Sequence, residues 1–156
     1  MTKIERIYRG SDGAARAETR RVALVAAGQK LIGTQGYASV SIRAVCVEAG
    51  LTERYFYESF ANKEALLGAV YLDAVFALNA RLQPAVEADG TIEHRARTAL
   101  NAYFGFMKEH PEAARIVLME VLGVSAEIDQ LYREVIAQFA AMMRKQLGLK
   151  DAVLMS

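Results

Sequence analysis

The residue types that catalyse reactions or bind metals are sparse in this 156-residue sequence. There are two histidines, His94 and His110, and a single cysteine, Cys46, which has no evident partner base. The sequence contains no HExxH, GxSxG or phosphate-loop motif. We therefore predict no catalytic residue, no metal ligand and no cofactor. We interpret Cys46 as a small hydrophobic core residue.

Polar and basic residues suited to binding a polyanion are concentrated in the N-terminal part of the chain. Residues 1–63 contain ten Lys and Arg against six Asp and Glu, a net charge of +4. Residues 64–156 contain nine against twelve, a net charge of −3. This asymmetry favours a polyanion-binding N-terminal end, although chance differences between two solvated surfaces could also produce it.

The composition is that of a globular chain that folds without disulfides. Apolar residues make up 53% and charged residues 24% of the sequence, which excludes intrinsic disorder. One cysteine excludes an internal disulfide and favours a cytoplasmic location. The polar N-terminus does not resemble a secretory signal, and no apolar run reaches the roughly 18 residues of a membrane span, so we predict no membrane association.

Apolar residues recur at helical spacing through most of the chain, and no stretch alternates as a β-strand does. Residues 1–16 lack this period and are interpreted as a flexible arm that carries Lys3, Arg6 and Arg9. Pro84 and Asp89-Gly90 are predicted to lie in the connection after the fourth helix. The predicted fold class is all-α, with seven helices over about residues 20–36, 41–49, 52–58, 62–83, 91–110, 112–122 and 125–148.

The second and third predicted helices are short and are joined through Ala49-Gly50-Leu51, as in a helix-turn-helix motif. Small residues at this turn would let the two helices approach closely. The third helix would then enter the major groove with its first residues at the base edges. Glu53 could accept a hydrogen bond from cytosine, or it could serve only as a favourable charge at the helix start. The candidate base-reading residues are Thr52, Glu53, Arg54 and Tyr55.

The segment from Ser41 to Leu67, SIRAVCVEAGLTERYFYESFANKEALL, resembles the DNA-binding head of the TetR family of bacterial repressors. The matching residues, over about residues 20–66, are Gly36-Tyr37, Ser41, Ala49-Gly50-Leu51-Thr52, Tyr57, Phe60 and Lys63-Glu64-Ala65-Leu66. Two positions depart from the family pattern: Arg54 replaces a common Gly, and Ser59 replaces a common His or Tyr. Because Arg54 could bind guanine O6 and N7 or a phosphate, we expect an operator unlike those of Gly-bearing relatives.

The resemblance supports roles that the residue types themselves suggest. A hydroxyl, ammonium or guanidinium near a helix start can bind phosphate without reading sequence. Arg20 and Arg21 could do the same or could be solvated charges, and Phe56 and Phe60 are assigned to packing. The candidate phosphate contacts are Ser41, Arg43, Tyr57 and Lys63.

The resemblance further implies a DNA-binding head over residues 17–65 and a helical body over residues 66–156 that binds a ligand and dimerises. An apolar pocket is expected between the fourth helix and the fifth to seventh helices. Aromatic residues and Met suit such a pocket, although the same residues at helical spacing also form ordinary cores. The candidate lining residues are Tyr71, Tyr103, Phe104, Met107, Met119, Tyr132, Phe139 and Met142, with His94, Asn101, Arg115 and Glu120 as weaker polar candidates.

The function implied by the resemblance is that of a homodimer bound to a palindromic operator, with recognition helices about 34 Å apart. In most of the family a small ligand releases the repressor from DNA, although the sequence does not distinguish a repressor from an activator. The main alternative is a helical protein–protein interaction scaffold without specific DNA binding. Family members usually continue for several dozen residues with C-terminal dimerisation helices, so either this sequence is truncated before those helices or the protein dimerises in an unusual way.

Overall fold

The computed structural model describes the backbone of residues 3–147 and the side chains of residues 12–146. This part of the chain contains seven α-helices and no β-strand, which confirms the predicted all-α fold class. The predicted helix end at Gly148 and the side chains of Lys3, Arg6 and Arg9 lie outside the described residues. The helices are α1 (Lys3–Gln35), α2 (Ile42–Ala49), α3 (Glu53–Ser59), α4 (Lys63–Glu87), α5 (Ile92–Glu109), α6 (Pro111–Arg115) and α7 (Ala126–Leu147).

The chain divides into two compact units, and the division falls within α4. The N-terminal unit is Met1–Val70 and the C-terminal unit is Tyr71–Ser156. The N-terminal unit contains α1 to α3 and the first residues of α4. The C-terminal unit contains the rest of α4 and the helices that follow it.

Helix α1 begins at Lys3, so the prediction of an arm without helical structure through residue 16 is wrong. The prediction relied on apolar periodicity, which this segment lacks, whereas the strong helix formers of residues 14–18, AARAE, favour a helix without it. Side chains also bond to the backbone one turn back in this segment. Arg16 Nε donates to the Asp12 carbonyl at 3.1 Å, and the Thr19 hydroxyl donates to the Ala15 carbonyl at 3.0 Å.

Helix α4 continues through Pro84 to Glu87, so the predicted connection at Pro84 is also wrong. Proline removes one helical hydrogen bond and ordinarily disfavours a helix interior. Here Pro84 is exposed while Leu82, Ala85 and Val86 on either side of it are buried, and this burial holds the helix together. Among the described helices, α4 alone has the length and composition of a membrane span. In the structure 44% of that window is buried.

The predicted sixth helix is two different elements. Helix α6 begins with Pro111 at its first turn and ends at Arg115, and a π-helical turn, Ile116–Glu120, follows it. Arg115 Nε donates to Glu120 Oε1 at 2.7 Å, which joins the two ends of the π-helical turn. Gly123, at φ 70°, lies in the connection to α7. Apolar spacing alone does not distinguish an α-helical turn from a π-helical one.

The core of the N-terminal unit is formed by apolar residues of its four helices and the turn before α2. Helices α1 and α4 pack so closely that a Cβ added to Gly28 would lie 2.9 Å from Val70 Cγ2 and 3.3 Å from Leu66 Cδ1. The buried apolar residues of this unit are Leu24, Ala27, Ile32, Val40, Val45, Cys46, Phe56, Phe60, Leu66, Leu67 and Val70.

The C-terminal unit has its own apolar clusters. In the larger one, Ala74, Leu78 and Leu82 of α4 are buried with Phe106 of α5 and Ala113 of α6. A second cluster contains Ala85, Val86 and Ala99. Each unit therefore buries apolar side chains from several helices, which a helical fold requires for stability.

We predict that Gly28→Ala lowers the free energy of unfolding by about 1 kcal/mol. The added Cβ must displace Val70, and such overpacking costs roughly 1–3 kcal/mol. The better helix propensity of Ala, about 1 kcal/mol, offsets part of that cost. Denaturant titration of the two proteins measures the difference.

Gly13→Ala is the matched control, because Gly13 lies in the same helix with nothing within 4 Å of an added Cβ. We expect this variant to be at least as stable as the parent. Equal stabilities for the two variants would contradict the close packing of α1 against α4.

Candidate nucleic-acid interface

Helices α2 and α3 are joined by three residues, Gly50 to Thr52, that end one helix and begin the next. Gly50 is in the left-handed conformation at φ 66° and ψ 31°. The Leu51 amide donates to the Cys46 carbonyl at 2.9 Å, and Thr52 is the N-cap residue of α3. Helix α2 therefore ends at a glycine in the left-handed conformation, a common way for helices to end, and the N-cap residue of α3 follows two residues later.

The structural reason for Gly50 differs from the predicted one. We expected a small residue so that two helices could approach closely, but an added Cβ would meet nothing within 4 Å. The positive φ is the actual constraint, because other residues pay a steric cost there. The backbone conformation therefore sets the angle between α2 and α3.

One side of α3 is buried and the other faces solvent. Phe56 and Phe60 are buried, which confirms their assignment to packing, and their rings lie 5.7 Å apart. Glu53, Arg54 and Tyr57 are exposed, and Tyr57 is 56% exposed. At about 100° per residue, Arg54 lies opposite Phe56, whereas Glu53 and Tyr57 flank the buried side. Three of the predicted DNA contacts are therefore accessible to solvent on this helix.

The start of α2 presents a second group of predicted contacts. The Ser41 hydroxyl oxygen accepts a hydrogen bond from the Ala44 amide at 3.1 Å, so Ser41 is the N-cap of α2. Its hydroxyl hydrogen can still be donated to a phosphate. Arg43, in the first turn, is exposed. Thr52 is exposed too and makes no side-chain capping hydrogen bond.

Lys63 is engaged with the chain itself rather than extended into solvent. Its Nζ donates to the carbonyl oxygens of Tyr37 and Val40 at 3.1 and 3.0 Å, and lies 4.2 Å from the centre of the Tyr37 ring. The Tyr37 ring that Lys63 contacts is itself partly buried, and this burial, with a smaller contribution from the charge of Glu64, raises the pKa of the Tyr37 hydroxyl. Lys63 therefore fastens the start of α4 to the turn before α2, and one ammonium hydrogen remains for the predicted phosphate contact.

Sequence reasoning missed Glu58, which connects two arginines beside the recognition surface. Its Oε1 accepts from Arg54 Nε at 3.3 Å, and its Oε2 accepts from Arg20 Nη2 at 3.5 Å. The Arg20 guanidinium also lies 4.4 Å from the centre of the Tyr55 ring. The Arg54–Glu58 spacing of four residues is visible in the sequence, but the contact with α1 is not.

Arg21 and Tyr55 are both partly buried, unlike the exposed residues of α3. Arg21 Nη1 donates to the Ser59 carbonyl at 3.3 Å, and its guanidinium lies 4.5 Å from the centre of the Phe60 ring. Tyr55 packs under Arg20. These contacts hold α3 against α1, so both residues have packing roles whether or not they also contact DNA.

Cys46 is buried, and its environment suits a packing role. Burial, and to a smaller extent the charge of Glu53, raises the pKa of the Cys46 thiol above its usual value. A raised pKa lowers the thiolate fraction, which is the reactive form. In the described part of the chain no group of three or more His, Cys, Asp or Glu side chains is placed to hold a metal ion.

The predicted ligand-binding residues of the C-terminal unit are only partly brought together. Tyr103, Met107 and Phe139 pack against the larger apolar cluster of this unit. The buried Tyr71 ring lies 6.2 Å from Tyr132, and burial, followed by the influence of Tyr132, raises the pKa of Tyr71 to about 12. The burial of these residues is compatible with the predicted lining of an apolar ligand pocket and equally with an ordinary apolar core.

Phe104 and Met119 are instead 64% and 66% exposed. Successive residues of an α-helix turn by about 100°, so Phe104 points away from the buried Phe106, two residues further along. Met119 lies in the π-helical turn, where α-helical spacing does not hold. Of the weaker polar candidates, Arg115 and Glu120 pair with each other, and His94 and Asn101 are exposed. Met142, the remaining apolar candidate, is partly buried.

Two short helices, α2 and α3, are joined by a three-residue turn, and α3 has a buried side and a solvent-accessible side. This is the arrangement of a helix-turn-helix motif, the class of fold element that many DNA-binding proteins use. Residues 24–70 match the family model described as bacterial regulatory proteins, tetR family. The N-terminal unit thus matches the TetR family model, which confirms the resemblance seen in the sequence.

The similarity to solved structures extends beyond the N-terminal unit and covers most of the chain. The fatty acid degradation regulator FadR from Bacillus halodurans matches with a TM-score of 0.74 at 16% identity, over 83% of this chain and 67% of that one. FadR from Bacillus subtilis, solved in complex with stearoyl-CoA, matches with a TM-score of 0.73 at 16% identity, over 81% and 68%. A TetR family regulator from Marinobacter aquaeolei VT8 matches with a TM-score of 0.70 at 21% identity, over 90% and 75%. At these identities the likeness establishes the fold.

We predict that Lys63→Met lowers the free energy of unfolding by about 1–2 kcal/mol. The variant keeps the aliphatic stem but removes the donor to two carbonyls, and hydrogen bonds from charged groups carry energies of this order. Denaturant titration measures the loss.

Lys30→Met is the control, because Lys30 is a more exposed lysine whose partner, Glu48, lies at the surface. Exposed ion pairs contribute roughly 0–1 kcal/mol. An effect of Lys63→Met no larger than that of Lys30→Met would contradict the fastening role of Lys63.

Proposed function

We propose that this chain is a sequence-specific DNA-binding transcriptional regulator, a repressor that a small hydrophobic ligand releases from its operator. The observation that carries the proposal is the solvent-accessible part of α3, where Glu53, Arg54 and Tyr57 are exposed while Phe56 and Phe60 are buried. A helix presented in this way can enter the major groove without unfolding any part of the core. The proposed function is binding rather than catalysis, in the cytoplasm.

The proposed contacts divide into two kinds. Ser41, Arg43, Tyr57 and the remaining donor of Lys63 bind phosphates and fix the position of α3 on the duplex. Thr52, Glu53 and Arg54 reach base edges, and Arg54 is the side chain with the longest reach. Two copies of the chain would place two such helices on a palindromic operator about one helical turn apart.

We predict that Arg54→Ala weakens binding to the preferred operator roughly tenfold and relaxes selectivity at the base pairs it reads, whereas Tyr57→Phe weakens binding to all sequences alike. A base contact contributes about 1–3 kcal/mol of discrimination, and a phosphate contact contributes none. The measurement is selection of bound DNA from a random pool, followed by fluorescence anisotropy at two salt concentrations.

Arg97→Ala is the matched control, since Arg97 is an exposed arginine of α5 that pairs with Glu93 one turn away. We expect its affinity and selectivity to equal those of the parent protein. If the parent protein shows no sequence preference at any salt concentration, specific operator binding is wrong and an interaction scaffold becomes the better description.

The ligand part of the proposal depends on the C-terminal unit. Tyr103, Met107 and Phe139 supply partly buried apolar surface beside the larger cluster. Two buried polar atoms of the same unit, Asn79 Oδ1 and Arg95 Nε, have no hydrogen-bond partner among the described residues, although buried polar atoms are normally paired. An amide acceptor and a guanidinium donor near apolar surface suit a ligand with a polar group on an apolar body. Long-chain acyl compounds are of this class, and stearoyl-CoA occupies the similarly folded regulator from Bacillus subtilis.

We predict that stearoyl-CoA raises the melting temperature and releases the protein from its operator, and that acetyl-CoA does neither. A ligand present at 100 times its Kd stabilises the folded state by about 2.7 kcal/mol. Release reflects a coupling of about 1–3 kcal/mol between ligand and DNA, which is a 5- to 150-fold change in affinity. Thermal denaturation and anisotropy with each compound provide the two measurements.

Phe139→Ala and Phe104→Ala form a matched pair, because the first residue is partly buried against the larger cluster and the second is exposed. We expect the stearoyl-CoA response to fall in the first variant and to persist in the second. The absence of any response in the parent protein would rule out this ligand class and leave the DNA-binding proposal intact.

A further inference from the structure

We infer that Glu58 is a positioning residue that holds Arg54 in the orientation suited to guanine and thereby contributes to the choice of operator. The inference rests on the proposed DNA binding and concerns a residue to which no role in that binding has been given. It starts from the arrangement of three charged side chains, two on α3 and one on α1.

The contact between Glu58 and Arg54 uses only one edge of the guanidinium. Glu58 Oε1 accepts from Arg54 Nε at 3.3 Å, so the contact is made through Nε, and the terminal nitrogens Nη1 and Nη2 lie at the outer end of the side chain. Those two nitrogens are the donors that arginine uses when it binds O6 and N7 of guanine together. A carboxylate that engages Nε therefore presents the guanine-binding end of Arg54 to the groove.

Glu58 is itself held by a residue from a distant part of the sequence. Its second oxygen, Oε2, accepts from Arg20 Nη2 at 3.5 Å, and the Arg20 guanidinium lies over the Tyr55 ring at 4.4 Å. An isolated surface pair four residues apart on a helix is weak and leaves the side chains mobile. The Arg20 contact restrains the Glu58 carboxylate from the opposite side, which makes it a better-defined anchor for the 84% exposed Arg54.

The charge of Glu58 has a separate and opposite effect on DNA affinity. The carboxylate is 42% exposed beside the recognition surface, where it repels phosphates and offsets part of the charge of two arginines. Its removal should therefore strengthen binding to arbitrary DNA while weakening discrimination by Arg54. A residue that served only to stabilise the fold would lower both quantities together.

The experiment uses the full chain, its selected operator and the same operator with each guanine pair exchanged for an adenine pair. We expect Glu58→Gln to lower the preference for the guanine-bearing operator about tenfold, while binding to random-sequence DNA becomes a few-fold tighter at low salt. In the Arg54→Ala background, Glu58→Gln should cause no further loss of preference. Fluorescence anisotropy measures every affinity, and circular dichroism confirms that each variant is folded.

Glu58→Asp separates position from charge, because it keeps the negative charge but shortens the side chain by one methylene. We expect it to lose preference as Glu58→Gln does, with unchanged affinity for random-sequence DNA. Glu48→Gln is the charge-matched control, since Glu48 is an ion-paired acid on α2 of the same unit, and it should keep the parent preference.

Two results would overturn the inference. A parent-like preference in Glu58→Asp and Glu58→Gln, with affinity changing only as charge changes, would mean that Glu58 acts through its charge alone. An undiminished guanine preference in Arg54→Ala would mean that Arg54 is not the reader. Both results leave the operator preference of the parent protein intact, whereas failure of the proposed DNA binding would abolish that preference in the parent protein itself.

Discussion

The packing of Phe56 and Phe60 into the N-terminal core is the interaction on which the recognition surface depends. Helix α3 has only seven residues, and an isolated helix of that length is not stable in water. Burial of two aromatic rings on one side compensates for this and, at the same time, fixes which residues face outward. The exposed positions of α3 are therefore a consequence of core packing rather than of any property of the exposed residues.

The sequence predicted most of this arrangement, and the deviations have identifiable physical causes. Helix starts at Ser41 and Thr91 were predictable because a Ser or Thr hydroxyl at the N-cap can accept a hydrogen bond from the backbone amide three residues later. Both side chains do so. The continuation of α4 through Pro84 was not, because it depends on burial of neighbouring residues by other helices. The start of α1 at Lys3 was missed because helix propensity can act without an apolar stripe.

The candidate site shows the same division between local and long-range information. The solvent-facing pattern of α3 could be anticipated from the spacing of Phe56 and Phe60. The contacts of Lys63 with Tyr37 and Val40 span more than twenty residues and could not be anticipated, so one lysine has a structural role that its motif position does not reveal. The exposure of Phe104 likewise shows that aromatic residues next to one another in a helix cannot share one apolar face.

The charged groups around α3 favour selectivity between DNA sequences over affinity for arbitrary DNA. Glu53 and Glu58 lie beside Arg54, Lys63 is occupied by two carbonyls, and Arg21 is occupied by the Ser59 carbonyl. The carbonyl contacts leave the charges of Lys63 and Arg21 in place but reduce the donors that are available to phosphates, and affinity for arbitrary DNA comes largely from phosphate contacts. A surface of this composition would bind random DNA weakly, so the difference between operator and random DNA would depend on base contacts. The net charge of +4 over residues 1–63 describes this part of the chain as a whole, whereas Glu53 and Glu58 reduce the positive charge locally beside Arg54.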